Sequence, residues 1–167
     1  MSAAWIKSAL VSLGMVLGGQ QAVAAENPAT AVFAGGCFWC TESDFEKVPG
    51  VLAAESGYTG GRKANPTYEQ VSDGGTGHTE AVRVTYDPAR VNYAQLVEYF
   101  WHTIDPTVKD RQFCDVGSQY RSAIFWQTDE ERAIAEKSRD ALLASGRFKE
   151  VHTEIEKASV FYPAEEY

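Results

Sequence analysis

At 167 residues, 44% hydrophobic and 23% charged, the chain is long enough to bury one core and too short for two comfortable domains. Its formal net charge of -8 at pH 7 opposes a phosphate backbone and argues against nucleic-acid binding. The first 25 residues read as a cleaved signal peptide. Lys7 is a small positive n-region, residues 9–18 are a short apolar run, and Ala22-Val23-Ala24 offers a small-x-small cleavage pattern. The run is too short to span a bilayer as a helix, which needs roughly 20 apolar residues. The expected mature product, residues 26–167, is a single domain, exported to a bacterial periplasm, monomeric and not membrane-bound. Losing Lys7 makes it more acidic still, and both methionines, Met1 and Met15, leave with the signal. A chain without methionine suits an oxidising workplace, because methionine is readily converted to its sulfoxide.

Ala31 to Ala34 reads as a short buried strand that runs through Gly35-Gly36 into a helix over 38–48, stopped by Pro49-Gly50. A second strand is expected over 51–57. A glycine-rich loop follows over 58–77, long enough to suggest a hidden short helix at 68–71. In the strand over 78–86 the even positions His78, Glu80, Val82, Val84 and Tyr86 share one face. Tyr93, Leu96, Val97, Phe100, Trp101 and Ile104 recur at helical spacing behind Asn92 as N-cap. A polar segment over 105–119 has no clear period. A strand over 122–127 leads to Thr128-Asp-Glu-Glu131, which has capping-box form and opens a helix ending near Gly146, and a last strand is expected over 151–158. This order predicts an α+β, two-layer sandwich of ferredoxin-like kind: a mixed sheet with helices packed on one side.

Cys37 falls at the junction of the first strand and helix. There the unpaired N–H groups and positive dipole end of a first turn favour a thiolate. Cys40 lies one turn on, so the pair has the C-x-x-C spacing of a redox dithiol. A structural disulfide closing so small a loop would remove little unfolded-state entropy. A zinc site would need further ligands, and Cys114, His78, His102 and His152 show no spaced pair, so no metal is expected. Redox or nucleophilic chemistry is the favoured reading.

GCFW (36–39), GYTGG (57–61), NPTY (65–68), GHTEAV (77–82) and RQFCDVGSQYRSAIF (111–125) occur in the same order in a family that this chain resembles, the A-type peptide methionine sulfoxide reductases. The resemblance runs from about Val32 to the last residue. It implies reduction of methionine S-sulfoxide, free or in proteins, by Cys37 as nucleophile, which becomes a sulfenic acid. A disulfide then forms and a thioredoxin-like protein reduces it, with no bound cofactor. The same resemblance makes Glu80 the proton donor, and the strand parity adds a reason, since burial on that face would raise its pKa and keep it protonated. It assigns Tyr68 and Tyr120 to hydrogen bonds with the sulfoxide oxygen, Asp115 to orienting neighbouring donors, and Phe38 with Trp39 to an apolar wall for the S-methyl group. Relatives often carry the resolving cysteine in a tail beyond the FYPAEEY segment, so here Cys40 or Cys114 is expected in that role, with a slight preference for Cys40. A general thiol–disulfide oxidoreductase using Cys37 and Cys40 is the alternative. Phe-Trp between the cysteines is unusual for that class, and no cis-proline strand is evident.

Overall fold

A computed structural model describes residues 27–165; the expected signal peptide lies outside them. Five main strands and three long helices follow the predicted order. β1 (Ala29–Gly35) and α1 (Phe38–Phe45) are followed by β2 (Val51–Thr59), α2 (Tyr68–Ser72), β3 (Thr79–Tyr86) and α3 (Tyr93–Trp101). A small hairpin of β4 (Arg111–Gln112) and β5 (Asp115–Val116) precedes β6 (Ser122–Trp126), α4 (Asp129–Ala144), β7 (Glu154–Lys157) and β8 (Tyr162–Pro163).

The large sheet runs β7-β6-β1-β3-β2-β8. Its inner four strands, with α1 and α3, are the ferredoxin-like β-α-β-β-α-β unit, every neighbouring pair antiparallel. β7 joins β6 in parallel through α4, which makes the sheet mixed. Two hydrophobic clusters lie on its two faces. The larger joins Phe33, Val82, Val84 and Ile124 to Phe45, Leu96, Val97 and Phe100 of the covering helices. The smaller holds Val32, Ala34, Ala81, Ala123 and Phe125, packed by Ala158 and Phe161. Alternation along β1 and β3 accounts for both, since odd and even positions point to opposite faces.

The helix starts have their own causes. Asn92 and Thr67 each close a full capping box, with Gln95 and Gln70 as reciprocal partners. At α4 the box is half made: Thr128 accepts from the Glu131 N–H, but the Glu131 carboxylate turns to the Gln127 N–H at 2.7 Å. α1 ends at Phe45, three residues before the expected stop. β7 begins at Glu154, where pairing with Ala123 begins, instead of at Val151. The aperiodic stretch 105–119 contains the β4–β5 hairpin, whose strands are too short to show alternation.

Candidate active site

The site is assembled where the C-terminal end of β1 meets the start of α1. Gly36 turns the chain at φ +88°, and a Cβ there would lie 2.5 Å from the Gln112 Cβ. Only glycine lets the hairpin come this close to the cysteine turn. Gln112 is buried and fixes the approach from the other side: its Oε1 accepts from the Asp105 N–H at 2.9 Å and its Nε2 donates to the Asp105 carbonyl at 2.8 Å. The register Gln112↔Asp115 leaves Phe113 and Cys114 as a two-residue turn, both exposed, with Phe113 at φ +49°.

Cys37 is the N-cap of α1 and is partly exposed. Its carbonyl accepts from the Thr41 N–H and from the Thr41 hydroxyl, both at 3.2 Å, which fixes the first turn. The next N–H, that of Phe38, donates to Glu80 Oε2 at 3.0 Å. Glu80 is 2% exposed. Burial pushes its pKa up to about 7; the Phe38 N–H opposes this and the Asp115 charge adds to it. The even face of β3 therefore delivers a buried carboxyl to the turn that begins at Cys37.

Cys40 is exposed and lies on the first turn of α1, three residues after Cys37. The neighbouring Cys37 side chain, with partial burial and the Cys37, Asp44 and Asp115 charges, holds the Cys40 thiol above its ordinary range. Tyr120 is likewise raised by partial burial and by the Glu80, Tyr68, Asp115 and Cys37 charges. Seven predicted residues (Cys37, Cys40, Glu80, Tyr68, Tyr120, Asp115 and Phe38) thus interact directly or electrostatically around one point, and Trp39 stacks beside them. The Trp39 ring lies 5.9 Å from that of Tyr68 at 27°, and Phe38 lies 5.3 Å from Trp39 and 6.2 Å from Tyr68. Trp39 is 52% exposed whereas Phe38 is 1% exposed. Phe38 therefore backs the wall as a core residue, and Trp39 with Tyr68 presents its open face. Cys114 sits at the hairpin tip, on the turn that leads into Asp115.

Several supporting groups were invisible to periodicity. Thr79 donates to the Gln119 carbonyl at 2.9 Å, and Gln119 Nε2 donates to the Ser72 carbonyl at 2.8 Å, so β3, α2 and the tight turn carrying Tyr120 are tied together. His78 is buried; its Nδ1 accepts from Gly61 N–H at 3.1 Å and its Nε2 meets the Lys63 carbonyl at 2.7 Å, a loop clamp and not a ligand. Among the described residues no group of three or more His, Cys, Asp or Glu gathers as a metal would need. Thr79 and Gln119 belong to motifs that the sequence comparison had already grouped, GHTEAV and RQFCDVGSQYRSAIF, and that grouping was the one available signal.

The sequence model of the family described as Peptide methionine sulfoxide reductase matches residues 29–167. The chain belongs to this family. Among its relatives, Peptide methionine sulfoxide reductase MsrA of Limosilactobacillus reuteri is 56% identical over 140 residues, covering 83% of this chain and 80% of that one. The protein of the same description from Listeria innocua is 57% identical over 138 residues, 82% and 78% of the two chains. The solved structure of methionine sulfoxide reductase A of Corynebacterium diphtheriae superposes with a TM-score of 0.72 at 36% identity, covering 83% of this chain and 70% of that one. This peptide methionine sulfoxide reductase is accordingly an oxidoreductase that reduces methionine sulfoxide, and a general thiol–disulfide oxidoreductase is not favoured.

Proposed function

We propose that Cys37 is the nucleophile of this methionine sulfoxide reductase, Glu80 its acid and Cys40 its resolving thiol. The Cys37 thiolate attacks the sulfur of a methionine S-sulfoxide, free or in a protein. Attack joins the Cys37 sulfur to the methionine sulfur while Glu80 gives its proton to the oxygen; the S–O bond then breaks, and the departing hydroxide attacks the Cys37 sulfur, displacing methionine and leaving Cys37 as a sulfenic acid. The Cys40 thiol then attacks the Cys37 sulfur; water leaves and a Cys37–Cys40 disulfide remains. A thioredoxin-like dithiol protein takes up the oxidation and returns both thiols. The reading rests on one observation above all: a buried carboxyl with its pKa near 7 bonded to the N–H that immediately follows Cys37.

Tyr68 and Tyr120 bind the sulfoxide oxygen through their phenol O–H donors. Asp115 orients donors and raises Glu80. Trp39, backed by Phe38, receives the S-methyl group, since thioether and methyl groups pack well on rings. Cys114 is the second candidate for resolution, and Cys40 is preferred because it sits on the same helical turn as Cys37 and needs no loop movement to reach it.

One equivalent of methionine sulfoxide added to the reduced enzyme without reductant, followed by peptide mass mapping, tests the assignment. A Cys37–Cys40 disulfide is expected; a Cys37–Cys114 bond would transfer the resolving role. A Cys37→Ser variant that still released methionine would end the reading altogether.

For location, the reading is export to the periplasm with loss of residues 1–25, supported by Lys7, the apolar run and Ala22-Val23-Ala24. N-terminal sequencing of the protein from a periplasmic fraction should begin at Glu26; a cytoplasmic product beginning at Met1 would refute it.

A further inference from the structure

We infer that Glu165 is a positioning residue for Tyr68, acting through a strap formed by the chain after β7. The strap is built from backbone. Tyr162 and Pro163 of β8 pair with Tyr58 and Gly57 of β2, and the Ala164 N–H donates to the Ser56 carbonyl at 2.9 Å. This register carries Glu165 toward the start of α2. There one carboxylate serves two tyrosines: Oε1 accepts from the Tyr68 N–H at 3.0 Å and Oε2 accepts from the Tyr58 hydroxyl at 3.0 Å. The capping box of α2 takes the N–H groups of Thr67 and Gln70. That of Tyr68 goes to the strap instead.

Both tyrosines bear on the reaction centre. Tyr58 is fully buried with its ring 5.8 Å from Phe38, and Tyr68 stacks on Phe38 and Trp39. Glu165 therefore fixes the backbone from which the Tyr68 phenol projects and the ring beneath the Phe38 side chain. Partial burial works against its ionised form, but the hydrogen bonds from its own N–H, from Tyr68 and from Tyr58 together hold its pKa below the ordinary carboxylate range. It accepts both bonds as a carboxylate. A misplacement of about 1 Å is enough to cost on the order of a hundredfold in rate.

The inference rests on the assignment of Tyr68 to the sulfoxide oxygen, so the test separates the two. Tyr68→Phe, Glu165→Ala and the double variant are compared for kcat and KM on methionine S-sulfoxide, with thermal midpoints alongside. Each single variant should lose about tenfold in kcat/KM, and the double variant should be no worse than Tyr68→Phe alone, because the strap acts through that residue. Glu165→Gln should restore most of the activity, since its amide oxygen still accepts from the Tyr68 N–H. If Glu165→Ala does not fold, Glu165→Asp, whose carboxylate is one methylene short of both tyrosine partners, is crossed with Tyr68→Phe and the same non-additivity is expected. Losses that multiply, or a Glu165→Ala enzyme with full kcat/KM beside an impaired Tyr68→Phe, would overturn the strap alone. An unimpaired Tyr68→Phe would overturn the tyrosine's assignment and the strap with it.

Discussion

The Glu80 carboxylate accepts the backbone N–H of Phe38 at 3.0 Å from a position only 2% exposed. One bond thus links the proposed acid on β3 to the residue after the proposed nucleophile at the start of α1, and the same burial that shields Glu80 raises its pKa to about 7. The buried carboxyl and the turn that carries Cys37 are held as one unit.

The pH dependence of the reaction should follow from that linkage. With the protonated form of Glu80 as the proposed donor, single-turnover methionine release should fall as pH rises through about 7. Glu80→Gln should lower that rate by roughly 10²–10⁴ and abolish the dependence. The stability effect has the matching sign. The folded pKa lies above the ordinary 4.5, so the contribution of Glu80 is complete below that value and is lost as pH rises through about 7, a change of about 3 kcal/mol. Denaturant unfolding at pH 5 and pH 8 should show this loss in the native enzyme and not in Glu80→Gln. Equal pH sensitivity in both would show that Glu80 does not titrate as described.

Asp115→Asn should move the midpoint of that profile to lower pH. Its charge is one of the causes that raise Glu80, and removing a like charge eases ionisation. The shift must be smaller than the one due to burial, which is the larger cause. A pH–rate profile that did not move, or that moved upward, would remove Asp115 from the electrostatics of the acid.

How much of this was legible beforehand depends on the kind of signal. Period 2 along β3 placed Glu80 on the face of Val82 and Val84, and all three are buried. Period 3.6 with Asn92 placed α3, and the expected short helix within the loop over 58–77 is α2 with its own capping box. Periodicity reports which side of an element is buried, not which loop will meet which. The meeting of Gly36 with Gln112 joins residues 76 positions apart through a stretch whose strands are two residues long. β8 and Glu165 escaped notice for the same reason, since a two-residue strand beginning at Tyr162 and ending in proline shows no alternation. Glu131 shows the limit of motif reading as well. Its spacing from Thr128 fits a capping box, yet its carboxylate found the Gln127 N–H instead.

The two aromatics beside Cys37 should separate under substitution. Trp39, half open and stacked on Tyr68, contributes little to the core, so Trp39→Ala should raise KM for the sulfoxide while leaving the thermal midpoint nearly unchanged. Phe38 is buried against Tyr58 and Tyr68, and Phe38→Ala should cost about 3–5 kcal/mol of stability. Steady-state kinetics with parallel denaturant curves would check both. A Trp39→Ala enzyme with unchanged KM would show that the methyl group is held elsewhere.

The glycine that turns the chain into Cys37 offers a test with an internal control. Gly36 and Gly74 both lie at positive φ, +88° and +81°, so alanine is strained at each by about 1 kcal/mol or more. They differ in what a Cβ would meet: at Gly36 the Gln112 Cβ at 2.5 Å, at Gly74 nothing within 4 Å. Neither partner at Gly36 has room to yield, because Gln112 is pinned at both ends of its amide to Asp105 and the turn is held by Thr41. Relief requires the hairpin to move away, and that carries Asp115 away from Glu80 and Cys37. Gly36→Ala should therefore lose more stability than Gly74→Ala and lose activity as well, with the pH midpoint of what remains moved lower as in Asp115→Asn. Gly74→Ala should keep native kinetics. Denaturant unfolding and pH–rate profiles of the two variants, measured together, decide it. Equal stability losses with equal retained activity would show that the close approach of hairpin and cysteine turn is not required.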